Sequence, residues 1–137
     1  MKPILVVSCT KHKKATTRLY KSLSLLANPK ELKLVIVENN TDGLPSVYNK
    51  YINQKTLKKH DIVLFVHDDV YIDDLKLRGK LYANLNSNYD IVGLAGCVKP
   101  RIKKPVLWHQ MADRQHHRGY VMHDVRVGDD EYAVHCS

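Results

Sequence analysis

The sequence lacks the features that mark several common protein classes. Its three cysteines form no CxxC pair, which argues against a disulfide framework and against a structural zinc site. No apolar run approaches the roughly 20 residues that cross a bilayer, so no transmembrane segment is predicted. Neither a GxGxxG pattern nor a P-loop pattern follows the first apolar segment. We therefore expect a soluble, cytoplasmic protein. The two glycine patterns bind the phosphates of nucleotides, so any nucleotide diphosphate that this protein binds would have to be neutralised in another way.

What the sequence has is enough chain for one domain and an uneven distribution of charge. The 137 residues are 44% hydrophobic and 26% charged, which is typical of a globular protein and predicts a single domain over residues 1–137. Residues 1–60 contain 12 Lys and Arg against 3 acids, whereas residues 61–98 contain 3 against 6. A basic chain attracts polyanions, including nucleic acid, lipid headgroups and phosphorylated small molecules, and charge alone does not choose among them.

Short apolar segments alternate with helical patterns along the first two thirds of the chain. Apolar, β-branched runs predict four strands, at residues 3–8, 32–37, 61–66 and 90–94. Helical periodicity predicts three intervening helices, at residues 16–27, 44–54 and from 73 or 74 to about 85. This alternation predicts an α/β layer architecture with a mostly parallel sheet. Beyond residue 96 the alternation of strand and helix patterns weakens. Residues 108–123 are rich in His and Arg, and this composition predicts a long loop or a short helix.

Polar residues follow each of the first three predicted strands. They are Ser8 and Thr10, then Glu38, Asn39 and Asn40, then His67, Asp68 and Asp69. The carboxyl ends of parallel strands meet at one edge of a sheet, where ligands bind in open α/β folds. Two carboxylates and an imidazole can hold a hard divalent cation that bridges phosphate oxygens. Helix capping or a solvated turn is the alternative interpretation of the Asp pair.

The third of these clusters carries a family resemblance. Residues 65–70 match the FxHxDV-type signature of a branch of the family 2-like glycosyltransferases, in which it stands in place of the usual DXD motif. Shorter matches in the same order are Tyr48, Asn49, residues 92–96, Trp108, Gly119, Val121 and His123. The chain resembles this family over most of its length, although the family generally continues further, with strands and a helix that contact the acceptor.

The resemblance implies a fold, a reaction and a set of site residues. The fold would be a GT-A-like, Rossmann-like three-layer α/β sandwich with a shortened C-terminal part. The reaction would transfer a sugar from a nucleotide-diphosphate sugar to a hydroxyl acceptor with Mn²⁺ or Mg²⁺. The metal would be held by Asp69 and His67. The nucleotide-binding positions would be Ser8, Thr10, Glu38, Asn39, Asn49, His67 and Asp68. The resemblance assigns no residue to the general base; among the late acidic residues, Asp129 and Asp130 are the candidates to deprotonate the acceptor, and a solvated acidic turn is the alternative interpretation.

Two other functions stay open at this point. One is a catalytically inactive remnant that still binds a nucleotide sugar. The other is a basic nucleic-acid-binding module, which the positive N-terminal part and the eight tyrosines favour, although no RRM, KH or helix-turn-helix signature is present and nucleic acid is therefore not the expected partner. A shortened sheet would also expose an edge strand, which allows a homo-oligomer. The basic run that includes Lys11 and His12 is either a diphosphate contact or a solvated face.

Overall fold

The computed structural model describes residues 2–26, 28, 30–85, 90–93, 95–97, 115, 117–119, 122–126 and 132–136. The chain divides into two compact units, Met1–Ala83 and Asn84–Ser137, which are described separately. Within the described residues, no helix has both the length and the apolar composition needed to cross a membrane.

The first unit is built on a three-stranded parallel sheet, which confirms the predicted α/β class. The strands are β1 (Ile4–Cys9), β2 (Leu32–Val37) and β3 (Val63–Phe65), and their order in the sheet is β2-β1-β3. β1 pairs with both neighbours and every residue in it is buried, whereas β2 and β3 are half-buried apart from exposed Lys33. A central strand with both faces covered needs an unbroken apolar run, which is the pattern of residues 4–7.

Four α-helices accompany the strands in the part of the chain that the structure describes. They are α1 (Arg18–Leu26), α2 (Leu44–Asn49), α3 (Gln54–Lys59) and α4 (Leu77–Leu85), which passes from the first unit into the second. A single 3-10 turn, Lys14–Thr16, precedes α1. The fully buried side chains of Leu19 and Leu23 lie four residues apart on α1, and Val47 contributes the buried side chain of α2. These residues join β1 in the hydrophobic core.

The prediction of one helix over residues 44–54 is wrong, because the chain forms two short helices there. Pro45 stands in the first turn of α2, which ends at Asn49. Asn53 then begins α3, and its Oδ1 accepts a hydrogen bond of 3.0 Å from the Thr56 N–H. Asparagine is favoured at a helix N-cap and disfavoured inside a helix, so residue 53 starts a new helix and does not continue the first.

The second unit contains two antiparallel strand pairs among its described residues. β4 (Ala95–Cys97) pairs with β5 (His117–Gly119), and β6 (Met122–Arg126) pairs with β7 (Tyr132–Cys136). The prediction of a fourth strand at residues 90–94 is wrong, since residues 90–93 are not in a strand and the strand that follows pairs antiparallel. The predicted loop or short helix at 108–123 contains β5 and the start of β6; residues 108–114, 116, 120 and 121 lie outside the described part.

Candidate active-site cleft

A cleft of about 310 Å³ lies at the carboxyl ends of the three parallel strands of the first unit. Its lining comes from the end of β1, the segments that follow the three strands and the start of α2: Cys9, Thr10, Lys11, His12, Asn40, Thr41, Asp42, Leu44 and Asp68. Because the strand order is β2-β1-β3, the second strand lies on one side of β1 and the third lies on the other side. This reversal opens a crevice above the central strand, which is where open α/β sheets bind their ligands.

Thr10 connects the base of the cleft to the segment after β2. It is only 3% exposed, and its N–H donates to the Val37 carbonyl at 2.9 Å. The Thr10 carbonyl accepts from the Asn40 N–H at 2.8 Å, and its Oγ1 accepts from the His12 N–H at 3.2 Å. The structure therefore brings the predicted residue Thr10 into the cleft and fixes it by three hydrogen bonds.

The segment after β2 forms one wall of the cleft. Asn39 has a φ of 50°, a left-handed conformation that Asn adopts more readily than most residues. The Asn40 side chain then closes a turn: Nδ2 donates to the Asp42 carbonyl at 2.7 Å, and Oδ1 accepts from the Asp42 N–H at 3.3 Å. Asp42 Oδ2 accepts from Lys50 Nζ at 3.2 Å. This wall presents one carboxylate to the cleft in a fixed turn.

The segment after β3 contributes Asp68 to the lining. Its main chain is anchored, because its carbonyl accepts from the Leu19 N–H at 3.2 Å. The half-buried Asp68 carboxylate makes no hydrogen bond or ion pair with any described residue. A carboxylate that is partly removed from water and has no cationic partner is a favourable site for a bound cation.

The charge of Asp68 affects two neighbouring groups. Burial and, secondarily, the negative charge of Asp68 raise the pKa of the Cys9 thiol. Burial raises the pKa of Tyr48 as well, with smaller contributions from Cys9 and Asp68. The Tyr48 ring stacks on Phe65 with centroids 4.6 Å apart, and its hydroxyl donates to the Val66 carbonyl at 3.3 Å. The Asp68 carboxylate therefore lies close enough to the Cys9 thiol and the Tyr48 hydroxyl to act on both.

The structure does not bring the other predicted nucleotide positions into the cleft lining. Ser8 is completely buried, and its hydroxyl has no hydrogen-bond partner among the described residues. Glu38 Oε1 accepts from the Lys14 N–H at 2.7 Å and holds the segment after β1. Asn39 is exposed beside the cleft, and Asn49 is exposed at the end of α2. Of these residues, Ser8 is adjacent in sequence to the lining residue Cys9, and Asn39 is adjacent to Asn40.

The predicted metal ligands are adjacent to the cleft in sequence. His67 and Asp69 are exposed and lie outside the lining, whereas Asp68 between them is part of it. In the described part of the chain, no three His, Cys, Asp or Glu side chains form a cluster that could hold a metal ion. Asp129 and Asp130, the predicted general bases, lie outside the described residues.

Sequence reasoning missed several members of the lining. Asp42 belongs to a stretch with ordinary turn composition, and Leu44 has the pattern of a helix residue. The signal that could have indicated Asp42 is its place between the end of a strand and the start of a helix, on the side of the sheet where ligands gather.

The cleft offers oxygen ligands and positive groups together. The Asp42 and Asp68 carboxylates and the Thr10 hydroxyl are ligand types that Mg²⁺ and Mn²⁺ prefer. Lys11 and His12 lie in the same lining and can interact with an anion. No protein-family model, no curated protein and no solved structure matches the chain. Its function is therefore inferred from the chemistry of this cleft.

Proposed function

We propose that this protein binds a nucleoside-diphosphate sugar together with Mn²⁺ or Mg²⁺ and transfers the sugar to a hydroxyl acceptor. The observation that carries the proposal is the carboxylate of Asp68, which has no hydrogen-bond or ion-pair partner among the described residues and lines a cleft where the strand order reverses. The resemblance of residues 65–70 to the glycosyltransferase signature supports the same function. A GT-A-like fold for the whole chain is part of this proposal.

The cleft residues fit a cation that is shared with a diphosphate. Mg²⁺ and Mn²⁺ commonly use one or two carboxylates and complete their coordination with water and phosphate oxygens, so a cluster of three protein ligands is not required. Asp68 is the first residue that would hold the cation, with His67 and Asp69 beside it in the chain. When bound, the cation would neutralise charge that develops on the departing diphosphate.

The side chains of the cleft would orient the donor and stabilise its leaving group. Lys11 and His12 lie after β1, between the segments that follow β2 and β3, and can donate hydrogen bonds to phosphate oxygens. In the transfer itself, the acceptor oxygen bonds to the anomeric carbon while the bond from that carbon to the diphosphate oxygen breaks. The acceptor proton passes to a base, and Asp129 and Asp130 are the residues proposed for that role.

Isothermal titration with UDP-sugars and GDP-sugars tests the binding step. We expect affinity that depends on Mn²⁺ and falls about tenfold or more in Asp68→Asn, because a hydrogen bond or ion contact to a charged group contributes at least that much. Asp73→Asn is the matched control, since Asp73 is an exposed carboxylate outside the cleft lining. Equal binding after chelation of the metal would contradict the role of the cation.

Release of nucleoside diphosphate in the presence of hydroxyl acceptors tests the transfer step. Acceptor-dependent release from the wild type supports the enzyme, whereas cation-dependent binding without release supports an inactive remnant. Steeply salt-dependent binding of oligonucleotides without nucleotide-sugar binding would instead favour the nucleic-acid-binding module.

A further inference from the structure

The main chain that leads from β3 to Asp68 leaves the parallel sheet and then depends on other contacts. β3 ends at Phe65, and the N–H of the next residue, Val66, donates to the Val7 carbonyl of β1 at 3.1 Å. Two residues further, the Asp68 carbonyl accepts from the Leu19 N–H of α1 at 3.2 Å. Val66 is half-buried, so its own carbonyl needs a donor from outside the strand.

Tyr48 of α2 supplies this donor and also packs on the end of β3. Its hydroxyl donates to the Val66 carbonyl at 3.3 Å. Its ring stacks on Phe65 with centroids 4.6 Å apart and an angle of 27° between the planes. The hydrogen bond is longer than the roughly 2.8 Å typical of an O–H···O bond, so the ring contributes the larger part of this contact. One side chain therefore contacts the two residues that directly precede His67 and Asp68.

The helix that carries Tyr48 is anchored in the core and borders the cleft. Val47, the preceding residue, is fully buried. α2 begins at Leu44, which lines the cleft, so the same helix reaches from the cleft to the segment after β3. Burial, with smaller contributions from Cys9 and Asp68, raises the pKa of Tyr48, so its hydroxyl stays protonated and can donate at neutral pH.

The direction of the main chain after β3 decides which side chain lines the cleft. Asp68 belongs to the lining, whereas the adjacent His67 and Asp69 are exposed and lie outside it. Successive side chains leave the main chain in different directions, so a rotation of the main chain here would turn Asp68 out of the cleft. Tyr48 holds the main chain at Val66, two residues before the point where the Leu19 N–H holds it.

We propose that Tyr48 is a positioning residue: its ring and hydroxyl fix the main chain before Asp68, so that the Asp68 carboxylate faces the cleft. Where it concerns the cation, the inference rests on the proposed function, because Asp68 is the residue proposed to hold that ion. The placement of Asp68 itself is tested without any ligand.

The first test uses the Cys9 thiol as a reporter of the Asp68 charge. Alkylation of Cys9 is measured by peptide mass spectrometry at neutral pH in the wild type and in Asp68→Asn, and then in the same pair with Tyr48→Leu added. Asp68→Asn should speed alkylation in the wild-type background, because the negative charge of Asp68 raises the pKa of the thiol. With Tyr48→Leu this acceleration should be smaller by about twofold or more, which is the coupling expected of residues that act together. Comparison within one background cancels any effect of Tyr48→Leu on the burial of Cys9.

Three further variants separate positioning from general support of the fold. Tyr48→Phe keeps the ring on Phe65 and should preserve most of the acceleration. Phe65→Leu removes the same stack from the other side and should reduce the acceleration as Tyr48→Leu does. Tyr51→Leu, the matched control, removes another half-buried tyrosine three residues along the chain and should leave the acceleration unchanged. Urea unfolding gives the stability of each variant, and rates are compared under conditions where each is folded.

The second test measures the cation directly. Titration with Mn²⁺ alone, followed by electron paramagnetic resonance of the free ion, should show an affinity that falls about twofold or more in Tyr48→Leu. The affinity should stay close to that of the wild type in Tyr48→Phe and Tyr51→Leu.

The possible failures are distinguishable. The inference is overturned if the acceleration by Asp68→Asn is undiminished with Tyr48→Leu or, should that variant not fold, with Phe65→Leu. It is also overturned if Tyr51→Leu diminishes the acceleration as much, or if the wild-type background shows no acceleration, which would place Asp68 away from Cys9. Failure of Mn²⁺ to bind the wild type overturns the proposed function, whereas the alkylation rates still decide whether Tyr48 positions Asp68.

Discussion

Two buried serines give opposite expectations for the same substitution. Ser8 in β1 is 0% exposed and Ser22 in α1 is 1% exposed. The Ser8 hydroxyl has no hydrogen-bond partner among the described residues, whereas Ser22 Oγ donates to the Leu19 carbonyl at 3.0 Å and accepts from the Ile72 N–H at 3.1 Å. Ser8→Ala therefore removes a hydroxyl that has no described partner, whereas Ser22→Ala removes a hydroxyl that has two.

The magnitude follows from the cost of an unsatisfied buried group. A buried polar group without a partner costs about 1–3 kcal/mol, and removing one oxygen leaves only a small gap, so Ser8→Ala should stabilise the protein by about 1 kcal/mol. Ser22→Ala leaves the Ile72 N–H without its acceptor and should destabilise by about 1 kcal/mol after the higher helix propensity of Ala is included.

Urea unfolding measures both variants. With an m-value of about 2 kcal/mol/M, a change of 1 kcal/mol moves the midpoint by about 0.5 M, upward for Ser8→Ala and downward for Ser22→Ala. The m-values should stay constant. The nucleotide-sugar binding that we propose should be unaffected by Ser8→Ala, because Ser8 lies outside the cleft lining. A lower midpoint for Ser8→Ala would refute this reasoning, since it would show that the hydroxyl stabilises the native state.

Two further predictions concern charges. Burial is the main cause of the raised Cys9 pKa, and the negative charge of Asp68 adds to it. Asp68→Asn removes that charge, so Cys9 should be alkylated faster at neutral pH than in the wild type. Peptide mass spectrometry measures the alkylation rate at this cysteine, and an equal or slower rate would contradict the expectation. Hydrogen bonds, first of all from the Lys2 backbone N–H, lower the pKa of Asp61 below its ordinary value of 3.8. The ionised carboxylate therefore stabilises the folded state above that pH. This contribution to the free energy of unfolding is lost as the pH falls through the folded-state pKa. Acid titration of the free energy of unfolding should therefore show a smaller loss in Asp61→Asn, and an unchanged loss would argue against the effect.

The parallel part of the fold could be predicted from local pattern. Apolar, β-branched runs predicted the strands now found at 4–9, 32–37 and 63–65, and the unbroken run of the first fits a central strand that is buried along its whole length. The helix break at Asn53 could have been inferred from the capping preference of Asn, but the apolar spacing of the surrounding residues concealed it. Pairing of β4 with β5, across about 20 residues of sequence, depends on long-range contacts that no local pattern encodes.

The candidate site could be predicted only in part for a related reason. Position after a strand predicted that Thr10 and Asp68 lie at one edge of the sheet, and both line the cleft there, because parallel strands bring their carboxyl ends together. The same rule does not say which of three adjacent residues faces the ligand, and here Asp68 lines the cleft while His67 and Asp69 are exposed. Asp42 lies five residues beyond β2, and it reaches the cleft through a turn held by Asn40.

The Leu19 N–H donates a hydrogen bond to the Asp68 carbonyl, so the main chain at position 68 is held independently of the carboxylate side chain. Leu19 is fully buried, and it holds the neighbouring segment through the peptide group, which every amino acid possesses. Exchanging the carboxylate for another side chain therefore leaves that attachment in place. Evolution or protein engineering can therefore change the side-chain chemistry at position 68 without removing this main-chain attachment.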